Sequence, residues 1–321
     1  MIRPEDVILA GERIKNYVYR TPFEKSHFLS DITGGQVFLK LECQQKVKAY
    51  KIRGAVNKIL CLAPEERQKG IVTASSGNHG AVVSYVSGLL GINNVTVYVP
   101  EVTPAVKKEK IKRYGAKLVV AGKNFDEAFC LAKQKVKELG GIWIDPCSDE
   151  AVIAGQGTIG LEMLEDNAAL DTLVVPIGGG GMITGISIIA KALKPGIKVV
   201  GVQTEACPAM LASLRDGRLY ERYQSKPSIC EALVGGVGEI PYIMAKECID
   251  DILLVAEKTI KEAVIKLIDR EKILAEPSAA VGVACLMEHC ERFKGRNVGV
   301  VISGGNMDLE LLEKLISEVK S

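Results

Sequence analysis

Three short segments rich in glycine and polar residues have the composition of ligand-binding turns. The first, Gly178-Gly179-Gly180-Gly181-Met182, follows an apolar run over 172–177 and precedes a helical pattern of isoleucines. Glycines let backbone N–H groups surround an anion, and a following helix adds unpaired N–H groups and the positive end of its dipole. The pattern therefore predicts a phosphate site between a strand and a helix.

The residues of this loop leave the identity of the phosphate open. A P-loop would need Gly-Lys-Ser/Thr where this chain has Gly181-Met182-Ile183, which disfavours a nucleoside triphosphate. A dinucleotide fingerprint lacks its third glycine, although Glu205 stands where a ribose-binding acid would follow the next strand. A plain structural turn, a nicotinamide dinucleotide and another phosphorylated cofactor all remain open, and the pattern favours the last.

Two further polar turns, Ser75-Ser76-Gly77-Asn78-His79-Gly80 and Ser303-Gly304-Gly305-Asn306, each follow a predicted strand. Ligands of open parallel sheets bind at the carboxyl ends of strands, so we expect the three turns to converge, although each alone has the residues of an ordinary turn. His79 lacks the partners of a hydrolase triad, and such a histidine is more often a packing residue.

Lys51 is the candidate for an amine that forms an imine with a carbonyl group. We expect its apolar neighbours to remove water from the amine and to lower its pKa. The nearby Lys46 and Lys48 suggest the alternative that this stretch is a set of solvated charges.

The surrounding pattern predicts an α/β protein with two lobes, each an open twisted sheet with helices on both faces. We expect a smaller α/β domain over 70–145, a larger domain formed by 1–69 and 146–321, and a ligand in the cleft between them. An irregular loop is predicted over 217–238. The predicted strands are 36–41, 71–74, 95–99, 117–120, 142–144, 172–177, 199–204, 252–255 and 297–302. The predicted helices are 4–17, 54–62, 81–90, 104–114 and 124–139.

Composition disfavours several classes of function. The chain has 321 residues, 47% of them hydrophobic, and its 41 basic and 39 acidic residues give a net charge of +2. This balance does not favour nucleic acid or anionic membrane partners. The absence of a secretory signal and of a membrane span predicts a cytoplasmic protein. Nine cysteines without a Cys-x-x-Cys pair, and three histidines without zinc spacing, predict reduced thiols and no metal.

Six ordered motifs, which cover nearly the whole chain, resemble those of fold-type II pyridoxal-phosphate enzymes. They are Lys51-Ile52-Arg53-Gly54-Ala55, Ser75 to Gly80, Val152 to Thr158, Val175 to Met182, Glu276-Pro277 and Ser303 to Asn306. The chain looks like a serine/threonine dehydratase of the short catabolic type, in a group that also contains serine racemase. The resemblance implies a tryptophan synthase β-like fold, pyridoxal 5'-phosphate as cofactor, an amino-acid substrate and a homodimer.

The resemblance also implies a role for each matching residue. Lys51 would hold the cofactor covalently and take the substrate's α-proton, and Ser76 would be the acid on the opposite face. The phosphate would be bound by Gly178, Gly179, Gly180, Gly181 and Met182, the ring hydroxyl by Asn78 and the pyridine nitrogen by Ser303. The substrate-binding residues would be Ser75, Ser76, Gly77 and His79. A neutral hydroxyl at Ser303 would favour β-elimination, which gives a 2-oxo acid and ammonia.

The chain departs from the family pattern near the lysine, and these departures leave the β-hydroxy amino acid open. Relatives read Thr-Gly-Ser-Phe-Lys where this chain has Val47-Lys48-Ala49-Tyr50-Lys51, and Ala-Asp-Gly where it has Cys230-Glu231-Ala232. A cysteine-synthase-like enzyme is disfavoured because neither Ser-x-Lys-Asp-Arg nor Thr-Ser-Gly-Asn-Thr-Gly occurs. A non-catalytic cofactor-binding protein remains an alternative.

Serine racemase is a further alternative, with two of its features missing here. An arginine of racemases aligns with Ala128, and their acidic metal-binding cluster keeps only Glu205. One carboxylate with carbonyl groups would bind a divalent cation weakly, so we expect little stimulation by magnesium or calcium. The sequence therefore favours elimination over racemisation.

Overall fold

The computed structural model describes residues 1–320, with all side chains in that range except those of residues 125, 126, 139, 319 and 320. The strands are β1 Phe23–Ser26, β2 Gln36–Lys40, β3 Ile71–Ala74, β4 Val95–Val99, β5 Lys117–Val120, β6 Ile142–Trp143, β7 Thr172–Pro176, β8 Lys198–Thr204, β9 Asp251–Val255 and β10 Asn297–Val301. The helices are α1 Pro4–Ile14, α2 His27–Thr33, α3 Ile52–Cys61, α4 Pro64–Gln68, α5 Asn78–Leu89, α6 Ala105–Arg113, α7 Phe125–Leu139, α8 Glu150–Asp166, α9 Gly181–Leu193, α10 Ala209–Asp216, α11 Glu239–Cys248, α12 Glu257–Glu271, α13 Pro277–Glu288 and α14 Leu309–Lys320.

The strands form two sheets. The larger has the order β1-β2-β10-β7-β8-β9, and the smaller has the order β5-β4-β3-β6. All neighbouring strands run parallel except β1 and β2, which pair antiparallel at one edge. Strands buried on both faces, such as β3 and β7, are continuous apolar runs because helices cover both sides of a parallel sheet. The predicted α/β class with two open sheets is confirmed.

Each of the nine predicted strands is present, and its ends lie within one residue of the predicted ones. Strand β1 and helix α2 were not predicted. In the sequence Phe23-Glu24-Lys25-Ser26, the two adjacent charged residues are exposed, as is common in edge strands. The strand was missed because its sequence lacks the apolar/polar alternation of a half-buried strand. Helix α5 begins at Asn78, three residues before its predicted start, because the polar turn leads directly into the helix.

Helix α3 joins the two parts of the molecule. Its apolar residues Ile52, Val56 and Ile59 pack in the same core as Val82 and Val97 of the smaller sheet region. The helix also packs against α8 and α5. A domain boundary at residue 69, which stays a prediction, therefore does not separate two independent cores.

A buried network of charges fixes α3. Arg53 is fully buried and donates to Glu42 from Nε at 2.8 Å and from a terminal nitrogen at 2.7 Å. It also donates to both carboxylate oxygens of Glu162, at 2.6 and 2.9 Å. The buried Lys40 lies 2.6 Å from Glu162. Burial alone would raise the pKa of Glu162, but the positive charges of Arg53 and Lys40 have the larger, opposite effect. The pKa is therefore lowered, and this carboxylate stays ionised.

Two further features concern the whole described chain. No helix within residues 1–320 has the length and apolar content needed to cross a bilayer. All nine cysteines are free thiols, and five of them, Cys43, Cys207, Cys230, Cys248 and Cys285, are buried.

We predict that Arg53→Met strongly destabilises the protein. The substitution leaves Glu42 buried without its cation, which costs about 3–5 kcal/mol in comparable buried pairs. Arg20→Met is the matched control, because Arg20 pairs with Glu165 and Asp166 at the surface, where such pairs contribute about 0–1 kcal/mol. Urea unfolding of both variants measures the difference. Equal losses in the two variants would contradict a special role for the buried network.

Candidate active site

The three polar turns meet at one pocket at the carboxyl ends of β7 and β10. The predicted site residues that line this pocket are Lys51, Asn78, Gly178, Gly179, Gly180, Gly181, Met182 and Ser303. The expected convergence of the three turns is confirmed. A second cavity, which includes Lys198, Asp250 and Arg292, lies at the opposite ends of the strands, where Lys198 and Arg292 pair with neighbouring carboxylates.

The loop that carries Lys51 is bound to the Ser303 turn through backbone hydrogen bonds. The Tyr50 N–H donates to the Ser303 carbonyl at 3.1 Å, and the Gly305 N–H donates to the Lys48 carbonyl at 2.9 Å. Ala49 and Gly304 form an antiparallel bridge between these two bonds. Lys51 itself caps the N-terminus of α3. The lysine is therefore held on one side by the Ser303 turn, which follows β10, and on the other by helix α3.

The same loop contains unusual backbone. Val47 has φ of 59° and Lys48 has φ of 56°, in the left-handed region that favours glycine. The family that the sequence motifs resemble has glycine at the position of Lys48, which agrees with this left-handed geometry. Asn306 donates from Nδ2 to the Val47 carbonyl at 3.0 Å and so holds the turn. Val47 and Lys48 therefore carry side chains at strained backbone positions close to Lys51.

The amine of Lys51 is buried but surrounded by groups that favour its charged form. Its Nζ donates to the Tyr50 hydroxyl at 3.0 Å. Burial lowers the pKa of Lys51, but the Tyr50 hydroxyl, the Cys147 thiol and the Glu276 carboxylate together raise it above its ordinary value. The expectation that apolar neighbours lower this pKa is therefore wrong, because polar groups at the pocket wall outweigh the loss of water.

The glycine loop presents free backbone donors at the start of α9. No described residue accepts a hydrogen bond from the N–H groups of Gly178, Gly179 or Gly180. Gly180 caps the helix with φ of 94°, a conformation that requires glycine. The Gly238 N–H donates to the Gly179 carbonyl at 2.9 Å, which turns the opposite face of the loop toward the protein. The arrangement suits an anion bound by N–H groups and a helix dipole.

Cys147 packs against Gly179 and Gly181 at the pocket wall, and no sequence pattern marked its role. A Cβ atom on Gly179 would lie 2.5 Å from Cys147 Sγ, and one on Gly181 would lie 2.9 Å from the Cys147 carbonyl. Burial raises the pKa of Cys147 to about 12, so the thiol is neutral. The close contact with Cys147 therefore requires glycine at both positions.

Asn78 faces Glu276 across the pocket. Its Nδ2 donates to both carboxylate oxygens of Glu276, at 2.9 and 3.1 Å, and its Oδ1 accepts from Asn306 at 2.7 Å. Burial raises the pKa of Glu276 despite the opposing effects of Asn78 and Lys110. Sequence reasoning did not assign Glu276 to the site, although the Glu276-Pro277 motif marked it.

The other predicted substrate residues do not line the pocket. Ser75, Ser76 and Gly77 form the turn that leads into α5, with the Gly77 N–H donating to Ser75 Oγ at 3.2 Å. His79 is buried, and its Nε2 lies 3.2 Å from the Ile144 carbonyl. Burial lowers the pKa of His79 to about 4, so the ring is neutral. This geometry favours a packing role for His79 over contact with a substrate.

Comparison with known proteins identifies close relatives. The family model described as pyridoxal-phosphate dependent enzyme matches residues 14–304. An L-threonine ammonia-lyase of Thermotoga maritima is 41% identical over 99% of this chain and 79% of its own length. Processed threonine deaminase isoform 2 of Solanum lycopersicum has a TM-score of 0.92 and 32% identity, over 98% of this chain and 91% of that chain. Maize serine racemase has a TM-score of 0.91 and 32% identity, over 99% and 98%.

We predict that Gly179→Ala weakens binding of pyridoxal phosphate, because the new methyl group must displace Cys147 or the loop. Cys147→Ala alone should leave the affinity nearly unchanged. The double variant Gly179→Ala/Cys147→Ala should recover part of the loss, since it removes the atom in closest contact. Equilibrium dialysis of the cofactor-free proteins measures all three. A double variant no better than Gly179→Ala would contradict the steric explanation.

Proposed function

The chain belongs to the family of pyridoxal-phosphate-dependent enzymes, and on this basis we propose that it is an ammonia-lyase of β-hydroxy amino acids. Its reaction removes the β-hydroxyl group of L-threonine, L-serine or a related substrate and gives a 2-oxo acid and ammonia. The relative named L-threonine ammonia-lyase, 41% identical over 99% of this chain, supports this substrate class. The observation that carries the proposal is one pocket that joins the Lys51 amine, the glycine loop and Ser303.

The donor set of the pocket fits the cofactor. Free N–H groups at Gly178, Gly179 and Gly180 suit a phosphate. The buried amine of Lys51 suits covalent attachment to an aldehyde. The Ser303 side chain is 5% exposed and has no described hydrogen-bond partner, so its hydroxyl is available to a ring nitrogen. Asn78, which also lines the pocket, would hold the ring hydroxyl.

Different residues of the pocket would serve different steps of the reaction. When bound, pyridoxal phosphate supplies the electron sink that stabilises a carbanion at the substrate's Cα. The Lys51 amine, in its neutral form, would remove the Cα proton. The Ser75 to Gly77 turn, at the N-terminus of α5, would orient the substrate carboxylate. Ser303, as a neutral hydroxyl, would moderate the electron sink and favour elimination.

Racemisation is the second candidate, and one solved relative, maize serine racemase, favours it. Ser76 is proposed as the acid that racemisation would need on the face opposite Lys51. The position where racemases have an arginine is the fully buried Ala128. Glu205 is exposed, and no group of three or more histidine, cysteine, aspartate or glutamate side chains suited to a metal occurs among the described residues. These features support elimination as the main reaction.

Two broader proposals accompany the activity. We propose that the enzyme acts as a homodimer, in keeping with the family that its motifs resemble. We also propose that it acts in the cytoplasm on a small amino acid, without nucleic acid or membrane partners. The balanced charge of +2 supports the lack of nucleic-acid binding.

The first experiment follows 2-oxo acid and D-amino acid together during incubation with L-serine, L-threonine and bulkier β-hydroxy amino acids. We expect 2-oxo acid to form faster than D-amino acid, with or without chelator. Lys51→Ala should abolish both products, whereas Lys46→Ala, a lysine outside the pocket, should keep them. D-serine forming faster than pyruvate, or loss of activity with chelator, would favour the racemase. No product from any substrate would favour a non-catalytic binding protein.

The second experiment tests the control of Lys51 by Tyr50. Tyr50→Phe removes the hydroxyl that raises the pKa of Lys51. Attachment of the cofactor requires the neutral amine, so its pH midpoint should move to lower pH in this variant. Absorbance during reconstitution of the cofactor-free enzyme, across the pH range, measures the midpoint. Tyr85→Phe, at a distant aromatic pair, is the control, and an upward or absent shift in Tyr50→Phe would refute the effect.

A further inference from the structure

A line of hydrogen bonds crosses the cleft beside the pocket. Lys110 Nζ donates to Asn306 Oδ1 at 2.5 Å, and Asn306 Nδ2 donates to Asn78 Oδ1 at 2.7 Å. Asn78 Nδ2 then donates to both oxygens of Glu276. We call these four residues the Lys110–Glu276 network. It begins at a cation and ends at a buried carboxylate.

The network passes between the two parts of the molecule at each step. Lys110 lies on α6 and Asn78 on α5, both beside the smaller sheet. Asn306 follows β10, and Glu276 caps α13, both in the larger part. Three successive contacts therefore join opposite sides of the cleft. The orientation of Asn78 depends on the two parts being correctly placed.

The two charged ends, together with the Val47 carbonyl, decide which way each amide points. The oxygen and NH₂ ends of an asparagine have nearly the same shape, so packing alone allows either orientation. An ammonium group can only donate, so Lys110 favours the same orientation of Asn306 that the Nδ2 bonds to the Val47 and Lys48 carbonyls require. The NH₂ group of Asn306 must then face the oxygen of Asn78, and the NH₂ group of Asn78 faces the Glu276 carboxylate. Reversing either amide would place donors against donors at one end.

We propose that Lys110 is a positioning residue that, through Asn306 and together with the Val47 carbonyl and Glu276, keeps the Asn78 amide turned with its N–H donors toward the pocket. The proposal rests on the proposed function, in which Asn78 meets the ring hydroxyl of pyridoxal phosphate. An N–H donor stabilises the ionised form of that hydroxyl, whereas an amide oxygen would repel it. Lys110 thereby helps to orient an amide group that it does not contact.

The helix that carries Lys110 offers a matched control. Lys107, one turn earlier on α6, forms an ion pair with Glu231 across the same cleft. It makes no described contact with Asn306, Asn78 or Glu276. A variant of Lys107 therefore loses the ion pair with Glu231 between the two parts, but it keeps the bond from Lys110 to Asn306. Comparing the two lysines separates the orientation of the amides from general closure of the cleft.

The test uses Lys110→Met, Lys110→Arg and Lys107→Met in the full-length protein. Side-chain amide NMR signals of Asn78 and Asn306 are recorded on the cofactor-free protein labelled with ¹⁵N-asparagine. Lys110→Met should shift both signals and weaken binding of pyridoxal phosphate about tenfold, as for loss of a hydrogen bond to a charged group. It should also change the absorbance spectrum of the bound cofactor. Lys110→Arg and Lys107→Met should resemble the wild type.

The proposal fails if Lys110→Met keeps the wild-type amide signals and cofactor affinity, or if Lys107→Met produces the same changes. It also fails if Lys110→Arg behaves like Lys110→Met, because the positive charge would then not be the cause. Lys110→Gln provides the same readouts should Lys110→Met be unstable. The amide signals need neither cofactor nor turnover, so they test the network even if the substrate panel yields no 2-oxo acid.

Discussion

The buried guanidinium group of Arg53 holds the helix that carries the reactive lysine. Arg53 lies two residues after Lys51, and its five donors are divided between Glu42, Glu162 and nearby oxygens. A charge buried this deeply is tolerable only with complete pairing, so small shifts of α3 are costly. The first turn of α3, and with it Lys51, is therefore placed by an interaction that does not enter the pocket.

The opposite wall of the pocket depends on the parallel sheet. Strands β7 and β10 are neighbours, so the glycine loop and the Ser303 turn leave the sheet side by side. The Ser303 turn in turn binds the lysine loop through backbone hydrogen bonds. Backbone contacts of this kind place the site without using the side chains that chemistry requires. The fold thus leaves Lys51, Asn78 and Ser303 available for ligand.

The sequence allowed most of the fold and eight of the residues that line the pocket to be predicted, because strand patterns and glycine turns are local signals. The contacts that orient those members were not predictable. Arg53 meets Glu162 across 109 positions of sequence, and Lys110 meets Asn306 across 196. No local pattern relates such distant residues. The raised pKa of Lys51 was missed because the hydroxyl of the adjacent Tyr50 bonds to the amine, with Cys147 and Glu276 adding to the effect from elsewhere in the chain.

The departures from the family pattern at Val47, Lys48 and Ala49 leave the backbone contacts of the lysine loop intact. Ala49 is fully buried and pairs with Gly304 through its backbone, which the loss of a side-chain hydroxyl leaves intact. Lys48 keeps its backbone bond to Gly305 despite its left-handed conformation. Lys51 therefore keeps its position while the side chains beside it change. None of these three residues is among those that line the pocket, so the same lysine chemistry is the expected outcome of such a loop.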